Sequence, residues 1–175
     1  MAAKLPQGLV IINTGDGKGK TTAALGLAMR AVGHGMRVAF VQFVKAWSVG
    51  EHEAAGRLAP QLEVFRMGKG FVVGEATPEH RTAAHEALEF VRQCLHGGRY
   101  EMVVADEVLT AAGLGLITQE DVESLLADRP HDVHLVLTGR GAWDALVAKA
   151  DMVTEMRLIK HPYEKGIAAQ EGVEF

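Results

Sequence analysis

One stretch near the start of the chain decides its fold: Leu9-Val10-Ile11-Ile12-Asn13-Thr14-Gly15-Asp16-Gly17-Lys18-Gly19-Lys20-Thr21-Thr22-Ala23-Ala24-Leu25-Gly26-Leu27-Ala28. An apolar run of strand type leads into a glycine-rich turn, and an alanine- and leucine-rich segment of helix type follows. The glycines let the turn curl so that several backbone N–H groups point into one hollow, and the helix start adds a partial positive charge there. The stretch therefore predicts a loop that binds phosphate.

The residues of this loop carry the predicted binding roles, and they are Thr14, Gly15, Asp16, Gly17, Lys18, Gly19, Lys20, Thr21 and Thr22. Lys20 can reach phosphate oxygens, and the hydroxyl of Thr21 is placed to bind Mg²⁺. The usual pattern, G-x-x-x-x-G-K-[ST], has glycine where this chain has Thr14. A glycine-rich turn that binds nothing is the simpler alternative, but the motif, the strand and the helix coincide here.

Apolar runs and helix-type segments alternate along the rest of the chain. Strands are predicted at 8–13, 37–44, 62–66, 102–105, 133–137 and 152–159, and helices at 21–32, 78–96, 118–126 and 142–150. This order predicts an α/β fold in one domain over residues 1–175, with a mainly parallel sheet and helices on both of its faces. Ligands of such sheets bind beyond the carboxyl ends of the strands.

Two more polar clusters follow predicted strands, Asp106-Glu107 and Thr138-Gly139-Arg140. A carboxylate at the first cluster can hold Mg²⁺ opposite Thr21, and the alternative is two solvated acids at a turn. Glu107 can also serve as a general base, which leaves hydrolysis open. Arg140 can bind a phosphate or a substrate carboxylate, although a plain turn arginine explains its position nearly as well.

The composition restricts the class of partner. The net charge of −4 over 175 residues argues against a nucleic acid as the main partner. No apolar run approaches the roughly 20 residues of a membrane span, and the N-terminus lacks the apolar segment of a secretory signal. The single cysteine, Cys94, cannot form an internal disulfide, so we expect a cytoplasmic protein in which Cys94 is a buried packing residue.

The loop and several later segments together resemble the P-loop corrinoid adenosyltransferases, which act on cob(I)alamin and cob(I)yrinic acid a,c-diamide. The resemblance runs from about Gly8 to Phe175, and besides the loop it rests on residues 30–35, 41–45, 67–71, 138–141, 151–157, 160–163 and 172–175. The loop of that family also has threonine at the position of Thr14. The resemblance implies a RecA-like P-loop NTPase fold and a transfer of the 5′-deoxyadenosyl group of ATP to cobalt(I) of a corrinoid, with release of triphosphate, in adenosylcobalamin biosynthesis or salvage.

The resemblance also implies roles for individual residues. The loop from Gly15 to Thr21 would cradle the triphosphate, while Lys20 and Mg²⁺ would offset the charge of the leaving group. Thr21 and Glu107 would bind the Mg²⁺, with Asp106 supporting them. A homodimer and a flavoprotein that reduces the cobalt are further implications of the same resemblance.

On the corrinoid side, the resemblance gives Phe71 a place beneath the ring, where it helps to remove the lower axial ligand of the cobalt. The family commonly shows Gly-Phe-Thr-Trp where this chain has Gly70-Phe71-Val72-Val73, and Leu109 and Thr110 stand where a polar residue and a tyrosine are frequent. These departures keep two alternatives open. One is a P-loop kinase or ATPase that acts on another substrate, and the other is a non-catalytic paralogue that binds ATP or a corrinoid.

Overall fold

The computed structural model describes residues 7–45, 50–70, 72 and 74–174. Within these residues, six parallel strands form one sheet in the order β3-β2-β4-β5-β1-β6. The strands are β1 (Val10–Thr14), β2 (Val38–Gln42), β3 (Leu62–Arg66), β4 (Met102–Asp106), β5 (His134–Thr138) and β6 (Met152–Glu155). The helices are α1 (Lys20–Gly33), α2 (Gly50–Gly56), α3 (Pro78–His96), α4 (Val108–Gly113), α5 (Gln119–Asp128) and α6 (Asp144–Lys149), and a 3₁₀ turn spans Pro162–Lys165.

The sheet separates two apolar layers because successive side chains of a strand point to opposite faces. On one face, Phe40 and Val104 pack with α1 and α2. On the other face, Val41 and Val103 pack with α3, α4, α5 and α6. The α/β fold with helices on both faces is therefore confirmed.

The parallel direction of all six strands brings their carboxyl ends to one edge of the sheet. The loop of residues 15–19 follows β1, and Gln42, Asp106 and Thr138 are the last residues of β2, β4 and β5. The predicted polar clusters therefore meet at this edge, as expected for a ligand site of a parallel α/β sheet.

Most predicted elements agree with the structure within a few residues. The prediction for α3 is confirmed at both ends, since the helix spans Pro78–His96. At its start, Thr77 caps the helix by accepting the N–H of His80, and Pro78 occupies the first turn. The predictions missed α2 and α4, which are only seven and six residues long and too short to show a helical period. Strand β6 ends at Glu155 and not at residue 159, since its neighbour β1 already ends at Thr14.

Cys94 lies in α3 with only 5% of its surface exposed. Burial raises the pKa of its thiol to about 11, which keeps the sulfur protonated at neutral pH. The expectation of a buried packing residue is therefore confirmed. None of the helices in the described part of the chain combines the length and the apolar character that crossing a bilayer requires.

Candidate active site

Four central strands carry a buried polar residue at or next to their carboxyl ends, on the face covered by α1. These residues, which we call the polar row, are Asn13, Gln42, Asp106 and Thr138, and the most exposed of them shows only 4% of its surface. The strand register places Gln42 beside Asp106 and Asn13 beside Thr138. The row follows from strand periodicity, because the residues two positions earlier, Ile11, Phe40, Val104 and Val136, form the apolar layer on the same face.

Asp106 is the buried centre of the polar row. Its Oδ1 accepts hydrogen bonds from the hydroxyl groups of Thr21 and Thr138, each at 2.8 Å. The pKa of the Asp106 carboxyl is raised to about 6, mainly by burial and also by the neighbouring Glu107, while the hydroxyl groups of Thr138 and Thr21 oppose the rise. The contact joins the first turn of α1 to the end of β4, which lie 85 positions apart in the sequence.

Glu107 has a left-handed backbone conformation with φ of 63°. A side chain in this region costs about 1–2 kcal/mol, so surrounding contacts must hold the residue there. Its N–H donates to Oγ1 of Thr138 at 2.8 Å, and its carboxylate accepts the hydroxyl of Thr110. Oγ1 of Thr110 in turn accepts the N–H of Arg140 at 3.1 Å, so the loop after β5 is tied to Glu107.

Lys20 points back into the glycine-rich loop. Its Nζ donates to the carbonyl oxygens of Gly15 and Gly17 at 2.7 and 2.8 Å, and only 7% of the residue is exposed. Loss of hydration lowers the pKa of this ammonium group. The loop therefore surrounds the charge of Lys20 with backbone oxygens.

Two loop glycines also allow a close approach of the chain that follows β6. A Cβ on Gly15, where φ is +97°, would lie 2.4 Å from the carbonyl oxygen of Met156, and one on Gly17 would lie 2.7 Å from that of Arg157. The N–H of Gly17 donates to Met156 O at 2.7 Å. The N–H of Gly17 therefore stabilises a contact with the neighbouring chain and is not one of the groups that could bind phosphate.

Arg140 lies at the rim of the loop with 66% of its side chain exposed. Its Nε is 4.0 Å from Oδ1 of Asp16, so this is a loose ion pair. Oγ1 of Thr14 accepts the N–H of Ala142 at 3.2 Å, which fixes the Arg140 segment to the end of β1. The threonine that departs from the usual loop pattern thus has a structural contact of its own.

Two of the cavities beside the loop are lined by Lys20. The loop cavity, of about 510 Å³, is lined by Lys20, Thr21, Lys45, Glu51 and Glu107, and Lys45 forms an ion pair of 2.5 Å with Glu51. The tail cavity, of about 390 Å³, lies between the loop, Arg140 and the segment after β6. Lys18, Lys20 and Glu174 contribute to both cavities. The loop, Asp106, Glu107 and Arg140 thus lie together, whereas Phe71 and Val73 are outside the described residues.

The sequence predictions missed three features of this site. They gave no role to Gln42 or Asn13, although each ends a run in which every second residue is apolar and faces α1. They also missed Thr110, which reaches Glu107 from the next helical turn. Nδ2 of Asn13 is buried and has no hydrogen-bond partner in the described part of the chain. The sequence signal that could have found Gln42 and Asn13 is a polar residue at or next to the end of an apolar strand.

Comparison with known proteins gives matches over nearly the whole chain. The family model described as ATP:corrinoid adenosyltransferase BtuR/CobO/CobP matches residues 6–175. A corrinoid adenosyltransferase of Sinorhizobium sp is 42% identical over 180 residues, covering 100% of this chain and 84% of that protein. Those of Pseudomonas aeruginosa and Escherichia coli K12 are 38% and 37% identical, covering 99% and 97% of this chain and 86% of each relative.

Solved structures resemble this chain at low sequence identity. A KaiC-like protein from Pyrococcus horikoshii superimposes with a TM-score of 0.60 at 18% identity, covering 90% of this chain and 76% of that one. The flagellar accessory protein FlaH of Methanocaldococcus jannaschii superimposes with a TM-score of 0.55 at 12% identity, covering 86% and 72%. At such identities the likeness shows the fold alone, which is the RecA-like P-loop fold.

Proposed function

Because this chain belongs to the ATP:corrinoid adenosyltransferase family BtuR/CobO/CobP, it transfers the adenosyl group of ATP to a corrinoid, and we propose that its glycine-rich loop holds the triphosphate leaving group. One observation carries this proposal. The hydroxyl of Thr21 meets the carboxylate of Asp106 at 2.8 Å, and Lys20 and Glu107 line the same cavity. An ammonium group, a hydroxyl group and a carboxylate thus line the space beside the loop.

The donor set fits a magnesium ion. Thr21, Asp106 and Glu107 offer hydroxyl and carboxylate oxygens, the ligands that Mg²⁺ prefers. No group of three or more His, Cys, Asp or Glu side chains lies ready for a metal within the described residues, so Mg²⁺ would take its other ligands from phosphate oxygens and water. When bound, the ion supplies positive charge against the departing triphosphate.

Lys20 can bind the nucleotide by exchanging its present hydrogen-bond acceptors for phosphate oxygens. Its ammonium now donates to two neutral carbonyl oxygens, whereas phosphate oxygens accept stronger, charge-assisted hydrogen bonds. We therefore propose that Lys20 turns from the carbonyls of Gly15 and Gly17 to the triphosphate. Lys18, Thr22 and Arg140 are proposed to bind it from the exposed rim of the loop, and Asp16 through its backbone N–H group.

The chemistry requires no general base. A corrinoid with cobalt in the +1 state is the nucleophile, so its electron pair forms the bond to the 5′-carbon of ATP while the bond from that carbon to the triphosphate oxygen breaks. Positioning of the two substrates and stabilisation of the leaving group are then the tasks of the protein. Under this proposal Glu107 acts as a metal ligand and no proton transfer depends on it.

The corrinoid is proposed to approach from the side of β2 and Phe71. The N–H of Gly70 donates to the carbonyl of Val44 at 2.9 Å, so the chain just before Phe71 runs beside the end of β2. Lys45 and Glu51 line the loop cavity at the same edge of the sheet. We further propose, from the family resemblance, a cytoplasmic homodimer that receives reducing equivalents from a flavoprotein.

The identity of the phosphate product tests the proposal. The protein would be incubated without oxygen with MgATP and chemically reduced cob(I)alamin, and the products separated by chromatography. Adenosylated corrinoid and triphosphate should form in equal amounts. Formation of ADP and phosphate alone would instead indicate a kinase or ATPase. Nucleotide binding without any product under saturating reduced corrinoid would point to a non-catalytic paralogue.

The corrinoid side is tested separately with Phe71→Ala. This variant should lose cobalt reduction and adenosylation while its affinity for MgATP stays unchanged. A defect confined to ATP binding would contradict the position proposed for Phe71.

A further inference from the structure

Gln42 links Asp106 to a histidine outside the phosphate loop. It is fully buried at the end of β2, beside Asp106 in the sheet register. Its Nε2 lies 3.5 Å from Oδ2 of Asp106, and its Oε1 lies 2.7 Å from Nε2 of His52 on α2. One amide thus spans the space between the carboxylate and the imidazole.

The chemistry of the two partners fixes the direction of this amide. An ionised carboxylate only accepts hydrogen bonds, so the amide nitrogen must face Asp106. The amide oxygen then faces His52, whose Nε2 must carry a proton in order to donate. The 3.5 Å separation is long for a hydrogen bond, so the short contact with His52 is the stronger of the two and holds the amide in place.

The position of His52 connects this pair to the loop cavity. His52 is half-buried on α2, and the preceding residue, Glu51, lines the cavity and pairs with Lys45. Helix α2 therefore touches the site at two points, through the Lys45–Glu51 ion pair and through Gln42. Oδ1 of Asp106 is already held by Thr21 and Thr138, and Gln42 supplies a donor beside the other oxygen.

We propose that Gln42 is a positioning residue, anchored by His52, that orients the Asp106 carboxylate toward the Thr21 hydroxyl and so strengthens magnesium binding at this site. The inference rests on the magnesium site of the proposed function. The simpler alternative is a glutamine that only fills a polar gap in the core. That alternative predicts that substitution of Gln42 lowers the stability of the fold. The positioning role predicts that substitution weakens ATP binding only when Mg²⁺ is present.

Calorimetric titration with ATP, once in Mg²⁺ and once in EDTA, distinguishes the positioning role of Gln42 from a purely structural one. Gln42→Met keeps the length of the side chain and removes its donor, and His52→Leu removes the anchor. Both should raise the Kd for MgATP about tenfold, the lower end of the losses seen when partners of metal ligands are removed. The Kd for ATP in EDTA should change less than about twofold. His52→Gln should restore tight MgATP binding, because its amide nitrogen can donate from nearly the same place as Nε2.

His134 offers a matched control. It is also half-buried and makes a hydrogen bond, from the N–H of Leu9 at 3.0 Å, but it lies at the amino end of β5. His134→Leu should lower the melting temperature without changing the ratio of the two Kd values. If Gln42→Met does not fold, the comparison of His52→Leu with His52→Gln decides the question alone.

Two results would overturn the inference. In Gln42→Met and His52→Leu, ATP binding would be weakened equally with and without Mg²⁺, or it would not be weakened at all. Thr21→Val distinguishes this failure from a failure of the proposed function. If Thr21→Val leaves the ratio of Kd values unchanged, the proposed magnesium site itself is wrong. If Thr21→Val changes the ratio and the Gln42 and His52 variants do not, only the positioning role fails.

Discussion

Replacement of Asp106 by asparagine should make the nucleotide-free protein more stable and weaken its binding of MgATP. The side chain is fully buried, and burial is the main cause that raises the pKa of its carboxyl to about 6. Asparagine has nearly the same shape, and its amide oxygen can still accept the hydroxyl groups of Thr21 and Thr138. The substitution therefore removes a buried charge and keeps these two contacts, while its amide nitrogen faces Nε2 of Gln42 in place of Oδ2, which offsets part of the gain.

The size of the effect follows from the difference between the folded and unfolded pKa of Asp106. A pKa of about 6 against an ordinary value of 3.8 corresponds to about 3 kcal/mol at neutral pH. The folded state holds the proton more tightly than the unfolded chain, so this contribution favours folding at low pH. It is lost as the pH rises through the folded pKa, and roughly half of the loss falls between pH 5 and pH 8.

Urea unfolding in EDTA at several values between pH 5 and pH 8 measures this difference. The advantage of Asp106→Asn over the wild type should grow as the pH rises. Asp121→Asn is a control of opposite sign. The N–H of Thr118 lowers the pKa of Asp121, so that carboxylate stabilises the fold above its unfolded pKa, which lies below this pH range. Asp121→Asn should therefore be less stable than the wild type by an amount that stays constant from pH 5 to pH 8. An Asp106→Asn variant that is less stable than the wild type at every pH would refute the reasoning.

Two further pairs of substitutions, each a test with its control, concern the loop. Lys20→Ala should cost about 2–4 kcal/mol of transition-state stabilisation in triphosphate release, while Lys18→Ala at the exposed rim should cost much less. Equal losses in both variants would contradict the central place of Lys20. Gly17→Ala should lower the melting temperature, since its Cβ would lie 2.7 Å from Arg157 O, whereas Gly26→Ala in α1 meets nothing within 4 Å and should stabilise the helix by about 1 kcal/mol. An unchanged melting temperature for Gly17→Ala would mean that the chain after β6 moves away from the added methyl group at no cost in stability.

Much of the candidate site could be predicted because its signals are local. The order of strand, glycine-rich turn and helix predicted the loop, and acids at the end of an apolar strand predicted Asp106 and Glu107. The left-handed backbone of Glu107 and its contact with Thr110 could not be predicted, because neither has a sequence pattern. Helix α2 was not predicted because it is too short to show a helical period, and the contact of its His52 with Gln42 was therefore not predicted either.

The sequence by itself determined the chemistry of the loop, the α/β class and the family, since each depends on residue types at fixed spacing along the chain. Only the tertiary structure decided which groups meet. Strands β1 and β2 are consecutive in the chain, yet β5 and β4 lie between them in the sheet. That order puts Asp106 within 2.8 Å of Thr21 and beside Gln42. Hydrophobic periodicity shows which face a residue takes, but the packing of the whole sheet chooses its neighbour.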